Sequence, residues 1–367
     1  MRCAHSPSPP YNPGAAEPRE RRARECGALR IRHPLKGRRT MKAVLCKAYG
    51  PPEDLVLEEV ASPRPGNGQV VIDVKACGVN FPDTLIIQGK YQFKPPMPFS
   101  PGGEVAGIVK AVGEGVERAK VGDHVIAFTN WGGYAEEVVT DERRLIPLPE
   151  NMDFTTAAVF TMTYATSHYA LKDRAQLKPG ETLLVLGAAG GVGLAAVEIG
   201  KIMGARVIAA ASSQEKLAVC RRYGADDGIN YSVEDLKERA KELTGGKGFD
   251  VVFDPVGGPF SEPALRATGW GGRFLVVGFA AGDIPRIPLN LTLLKGCSIV
   301  GVFWGSFAER DPARHHEYIR ELIGWYAEGK LKPLVSATYP LTRAADALNA
   351  MMQRKVTGKV ALVVDES

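Results

Sequence analysis

The sequence predicts an α/β protein in two parts, a β-rich domain and a doubly wound parallel sheet, and three observations carry that reading. From Met41 to about Pro149 the chain runs as short apolar segments cut by Gly, Pro and Asp, the pattern of a compact, mostly β domain. Beyond residue 175 the rhythm changes to apolar strands alternating with helical segments, as βαβ units on a parallel sheet require. The 367 residues are 45% hydrophobic and 24% charged, values of folded chains rather than of disordered or fibrous ones.

Taken in order, the first part offers AVLCKAY, LVLEEVA, VVIDVKACGV, EVAGIVKAV, HVIAF and YAEEVV as strands, with turns at PGNG, GEG and VGD and one short helix at FPDTLIIQG. An apolar helix is expected at about Thr155 to Ala175. Its charge-free stretch, Phe154 to Leu171, holds five Thr, one Ser and one His, a poor composition for a membrane span. TLLVLG, RVIAAA, GIN, DVVFD and RFLVVGF follow as strands, separated by the helical segments LAAVEIGKIMG, QEKLAVCRRYG, VEDLKERAKELTG and FSEPALRAT. After SIVGVFWG, helices at HHEYIRELIGWYAEG and AADALNAMMQRK and a last strand, KVALVVD, fall outside this rhythm and are expected to return to the first domain.

Charge and cysteines narrow the function classes. The net charge of +5 resides in residues 1–40, which carry +7, while the remainder carries −2. The body therefore lacks the basic footprint of a phosphate-backbone binder, which argues against nucleic acid as a partner. Residues 1–40 are rich in Pro and Arg, and no apolar run of a secretory signal occurs there. They read as a disordered extension or as sequence upstream of a natural start at Met41. The six cysteines include no CxxC pair, which fits a reducing, cytoplasmic setting and no structural metal.

The sharpest local signal is Gly187 to Gly193, GAAGGVG, between the strand TLLVLG and a helix. A chain turning beneath a pyrophosphate needs residues without Cβ, so that backbone N–H groups and a helix N-terminus approach the oxygens. Gly190, Gly191 and Gly193 supply those positions. At the end of the next strand, where an NAD site has a carboxylate for the ribose hydroxyls, stand Ser212 and Ser213, followed by Lys216. Hydroxyl and ammonium donors without a repelling carboxylate favour NADPH.

These motifs, with ACGVNFPDTLIIQGKY and PGGEVAGIV, resemble the zinc-free quinone oxidoreductase branch of the medium-chain dehydrogenase/reductases, the group that includes zeta-crystallin. NLTLLKGCSIVGVFWG and the ending QRKVTGKVAL add to the likeness, which covers residues 41–367; Glu198 departs from it, standing where the branch usually has Gln. The resemblance implies a GroES-like catalytic domain of residues 41–164 and 302–367 and a Rossmann NADPH-binding domain of residues 165–301. In zinc-dependent relatives a Cys and a His hold the catalytic metal; here Asn80 and Gly103 stand in those positions, so a metal-free site is implied.

Carried over by the same likeness, Asn80 and Thr166 lie near the nicotinamide, Gly190, Gly191, Val192 and Gly193 lie on the pyrophosphate, and Ser212, Lys216 and Tyr231 surround the adenosine phosphate. Gly278, Phe279, Phe303, Trp304, Gly358 and Lys359 close the cofactor cleft. Asn80 and Tyr91 are the expected catalytic residues, Asn80 as an amide donor and Tyr91 as a phenol that acts as proton donor in related enoyl reductases. Against this stands a plain aromatic packing role for Tyr91 on Phe93. The implied activity is NADPH-dependent hydride transfer to quinones or related activated carbonyl compounds, a small-molecule electron acceptor. The alternatives are reduction of 2-enoyl thioesters or α,β-unsaturated ketones, and an NADPH-binding structural or sensing protein with little turnover. The apolar stretch Ile299 to Trp304 resembles an edge strand that pairs across a homodimer.

Overall fold

A computed structural model describes residues 39–364. The reading of residues 1–38 as an extension falls outside the described residues. Strands β1 (Thr40–Leu45) and β2 (Val56–Ala61) form an antiparallel pair. A larger sheet contains β3 (Gln69–Val79), β4 (Glu104–Val112), β5 (His124–Phe128), β6 (Glu137–Asp141) and β7 (Leu145–Pro147). The eleven residues of β3 organise it: β4 pairs along one edge, while β6 takes residues 69–73 and the chain's last strand takes residues 76–79 of the other.

The second sheet contains β8 (Thr182–Leu186), β9 (Arg206–Ala211), β10 (Asp227–Asn230), β11 (Phe249–Asp254), β12 (Thr268–Val276) and β13 (Ser298–Gly301). All its pairings are parallel, in the order β10-β9-β8-β11-β12-β13. This is the Rossmann arrangement, whose order reverses between β8 and β11 and opens a crevice at the strands' carboxyl ends. Leu183 to Leu186 are fully buried, as central parallel strands covered on both faces demand. Three crossover helices have local stops or starts: Ser213 and Asp235 cap their helices through side-chain oxygens, and Gly204 and Gly224 follow helices at φ +82° and +105°.

The C-terminal segment does return to the first sheet. β14 (Val335–Pro340) lies parallel to β15 (Lys359–Val363), and β15 pairs antiparallel with β3. β14 and β7 escape the sequence reading, being short and only partly apolar. The helix expected at 155–175 is instead three pieces, Phe154–Ala157, Thr161–His168 and a π-helical Tyr169–Arg174. β12 ends at Val276, so Gly278 and Phe279 occupy the loop beyond it. Among the described residues no helix is long and apolar enough to cross a membrane.

Candidate active site

The phosphate loop follows β8 directly. Gly190 is the extended N-cap of helix Gly191–Ile202, whose first amides therefore open into the crevice. A Cβ on Gly193 would lie 2.3 Å from the Gly187 carbonyl oxygen and 2.8 Å from Ala188 Cα, so only glycine lets the helix sit this close to the turn. A Cβ on Gly191 would meet the Lys359 side chain at 2.7 Å and Thr163 at 3.0 Å. The Val192 carbonyl accepts from Ser167 Oγ at 2.7 Å, and Thr166 is partly buried on the same helix as Thr163 and Ser167. Gly358 bridges Gly190 and donates its N–H to Ala189 O at 2.7 Å, tying the C-terminal segment to the loop.

At the end of β9 a polar group gathers. Lys216 Nζ donates to Ser212 Oγ at 3.3 Å, and Ser213 Oγ accepts the Lys216 N–H. Tyr231 rests against the Phe260 ring, centroids 4.5 Å apart. Lys216 Nζ also donates to the backbone oxygen of Arg354, a residue at φ +57° that the sequence reading did not single out. Its signal was present in the quoted QRKVTGKVAL, but the left-handed turn that aims it across the cleft was not.

A narrow pocket is lined by Asn80, Asp83, Tyr91, Phe93, Phe128 and Met162, among others. Met162 and Thr163 are neighbours on one helix, so the pocket and the phosphate loop share a wall. Asn80 ends β3 and caps helix Phe81–Ile86, its N–H donating to Asp83 Oδ2 at 2.8 Å. Its amide nitrogen donates to Glu104 Oε2 at 3.0 Å, and its amide oxygen accepts from Lys359 Nζ. Tyr91 packs edge-on against Phe93 at 4.8 Å; among the described residues no hydrogen bond engages its hydroxyl, and burial raises its pKa.

Behind Asn80 lies a buried polar cluster. Glu104 also accepts the Met162 N–H at 2.8 Å, Lys359 Nζ donates to Val79 O at 2.8 Å, and the two charged groups stand 3.9 Å apart. Burial pushes the Glu104 carboxyl up and the Lys359 ammonium down, while each one's charge restrains the other's shift. Asp83, which also accepts from Tyr134 OH at 3.1 Å, is raised to about 6, chiefly by burial. Among the described residues no group of three or more His, Cys, Asp or Glu could hold a metal ion.

Other expected cofactor contacts scatter. Trp304 starts a helix and is buried with its ring 5.0 Å from Phe128, whereas Phe303 is exposed. Phe279 is half-buried close to Gly257, in the loop after β11.

Residues 191–325 match the family model of zinc-binding dehydrogenases, and residues 66–150 that of the alcohol dehydrogenase GroES-like domain. Quinone oxidoreductase-like protein 2 of Rattus norvegicus is 41% identical over 88% of this chain and 92% of that protein. The crystal structure of a quinone oxidoreductase of Pseudomonas syringae superposes with a TM-score of 0.83 at 35% identity, covering 88% of this chain and 99% of that one. A mycobacterial protein complexed with NADPH has the same TM-score at 30% identity, again covering 88% of this chain and 99% of that one. The first family description names zinc; among the described residues the polar cluster behind Asn80 holds two carboxylates and the Lys359 ammonium. With a GroES-like sheet, a Rossmann sheet and these relatives over most of its length, the chain is an oxidoreductase belonging to the quinone oxidoreductase branch of the medium-chain dehydrogenase/reductases.

Proposed function

We propose that the protein is a metal-free, NADPH-dependent reductase of quinones or related activated carbonyl compounds, with the division into domains 41–164 plus 302–367 and 165–301. The observation that carries this is an adjacency: a small pocket bordered by Asn80 and Tyr91 abuts the glycine loop through Met162 and Thr163, and a polar group of Ser212, Lys216 and the Arg354 backbone stands at the end of the next strand. Gly190, Gly191, Val192 and Gly193 would hold the pyrophosphate on backbone amides, and Lys216 and Arg354 would face the 2′-phosphate. Thr166, Gly278 and Phe279 would border the nicotinamide side, with Phe303, Trp304, Gly358 and Lys359 around the cleft's rim and floor. NADPH, when bound, supplies the hydride.

For a quinone, the pocket's task is to hold the ring, exclude water and leave the oxyanion to be protonated. Because the Asn80 amide nitrogen already donates to Glu104, the Tyr91 hydroxyl is the better placed donor to an acceptor. That unengaged phenol favours one second reading, reduction of an α,β-unsaturated ketone or enoyl thioester with Tyr91 protonating carbon.

The test follows NADPH and NADH oxidation by the full chain with a small quinone, an enone and an enoyl thioester. Quinone turnover faster with NADPH supports the first reading. Enoyl turnover lost in Tyr91→Phe supports the second, and NADPH binding without any turnover leaves a binding protein. A homodimer completes the proposal. β13 is the outer strand of its sheet, and Leu289, Leu293 and Leu294 are exposed in the segment just before it. Light scattering should give twice the chain mass, and Leu294→Glu should halve it.

A further inference from the structure

We propose that Lys359 is a positioning residue for the acceptor pocket: with Glu104 it holds the Asn80 amide in a single orientation. An asparagine amide has a donor end and an acceptor end, while a lysine ammonium offers only donors and a carboxylate only acceptors. Asn80 Oδ1 meets Lys359 Nζ, and Asn80 Nδ2 meets Glu104 Oε2 at 3.0 Å and Gly78 O at 3.4 Å. A flipped amide would set donor against donor and acceptor against acceptor, so one orientation survives.

The clamp is itself fixed. Glu104 is held by the Met162 N–H, Lys359 by the Val79 carbonyl, and Asn80, Glu104 and Lys359 are 6%, 0% and 6% exposed. In so dry a setting, losing one partner leaves the others unsatisfied rather than solvated. The Lys359 stem meanwhile lies against Gly191, so one side chain touches both the phosphate loop and the residue that borders the pocket. This inference rests on the reading above only in taking Asn80 to border the reacting atoms.

Lys359→Met keeps an apolar stem over Gly191 and removes the donor. NMR of the wild-type chain should show a slowly exchanging side-chain NH2 pair that disappears in Asn80→Ser. In Lys359→Met that pair should exchange at least about tenfold faster, and kcat with quinone should fall about 10- to 100-fold. The proposal is overturned if the wild type shows no such pair or if protection survives in the variant. Should the wild type reduce no quinone, the quinone reading fails by itself and amide exchange still decides the role of Lys359. Lys359→Gln, with a smaller loss of polarity, serves in the same measurements if the Met variant does not fold.

Discussion

At the dinucleotide end of the cleft the chain removes side chains; at the acceptor end it buries polar ones. Gly190, Gly191 and Gly193 bring backbone amides to the crevice, and the geometry is set by van der Waals limits such as the 2.3 Å that a Gly193 Cβ would leave to Gly187 O. Asn80, Asp83, Glu104 and Lys359 are all nearly inaccessible, and their geometry is set by complementary donors and acceptors. The first construction tolerates no added volume and the second no lost partner, so substitutions should fail in opposite ways at the two ends.

Glu104→Leu should have the largest effect. It deletes the acceptor of Asn80 and of the Met162 N–H and leaves Lys359 without its counter-charge, at a cost of about 3–5 kcal/mol. Urea denaturation reads this directly. A loss below about 1 kcal/mol would show that the cluster is not held as described.

Glu198 is a buried carboxyl of a different kind, paired with neutral donors: Tyr164 OH at 2.6 Å and the Lys332 N–H at 2.8 Å. Burial raises its pKa from 4.5 to about 7, outweighing the hydrogen bonds from Tyr164 and Lys332 and the Lys332 charge. The folded chain thus holds this proton longer than the unfolded chain does. Its contribution is fully present below 4.5 and is lost as pH rises toward about 7. Glu198→Gln should match the parent near pH 4.5 and exceed its stability by up to about 3 kcal/mol above pH 7. Denaturation midpoints at both pH values check the sign, and a difference independent of pH would refute it.

Gly193→Ala tests the opposite end. Its methyl would meet backbone atoms that cannot swing aside, and overpacking of this sort costs about 1–3 kcal/mol. Thermal melting should show that loss together with weaker NADPH binding. A variant with unchanged stability would mean that the loop yields, and that the contrast between the two ends is one of degree.

The same contrast governs how much could be read from the residues alone. GAAGGVG is contiguous and its physics is local, so strand, turn and helix were legible together, as were β4 and the all-parallel rhythm from β8 onward. The polar cluster joins residues up to 279 positions apart, and nothing near Glu104 in the chain announces that Lys359 will reach it. The helix expected at 155–175 broke because apolarity marks burial, not continuity, and the break sets Met162 and Thr163 against the pocket and Gly191. β14 and β7 are three to six residues long and take their identity from partners.

Arg354 offers the finest probe, because it belongs to the dinucleotide end yet acts through charge. Its backbone oxygen accepts from Lys216 and its guanidinium donates to Ala281 O at 3.3 Å, so it spans from the C-terminal segment to the loop after β12. Lys216 stands at Ser212, and NADPH carries one phosphate that NADH lacks. Arg354→Ala should therefore raise KM for NADPH about tenfold, or about 1.4 kcal/mol, because an exposed charge is partly screened. KM for NADH and kcat should stay put, and the NADPH effect should shrink in high salt. Equal losses for both cofactors would place Arg354 on shared parts of the dinucleotide. No loss for either would leave Lys216 as the sole discriminating cation, and the dinucleotide end would then read its ligand by backbone and shape almost alone.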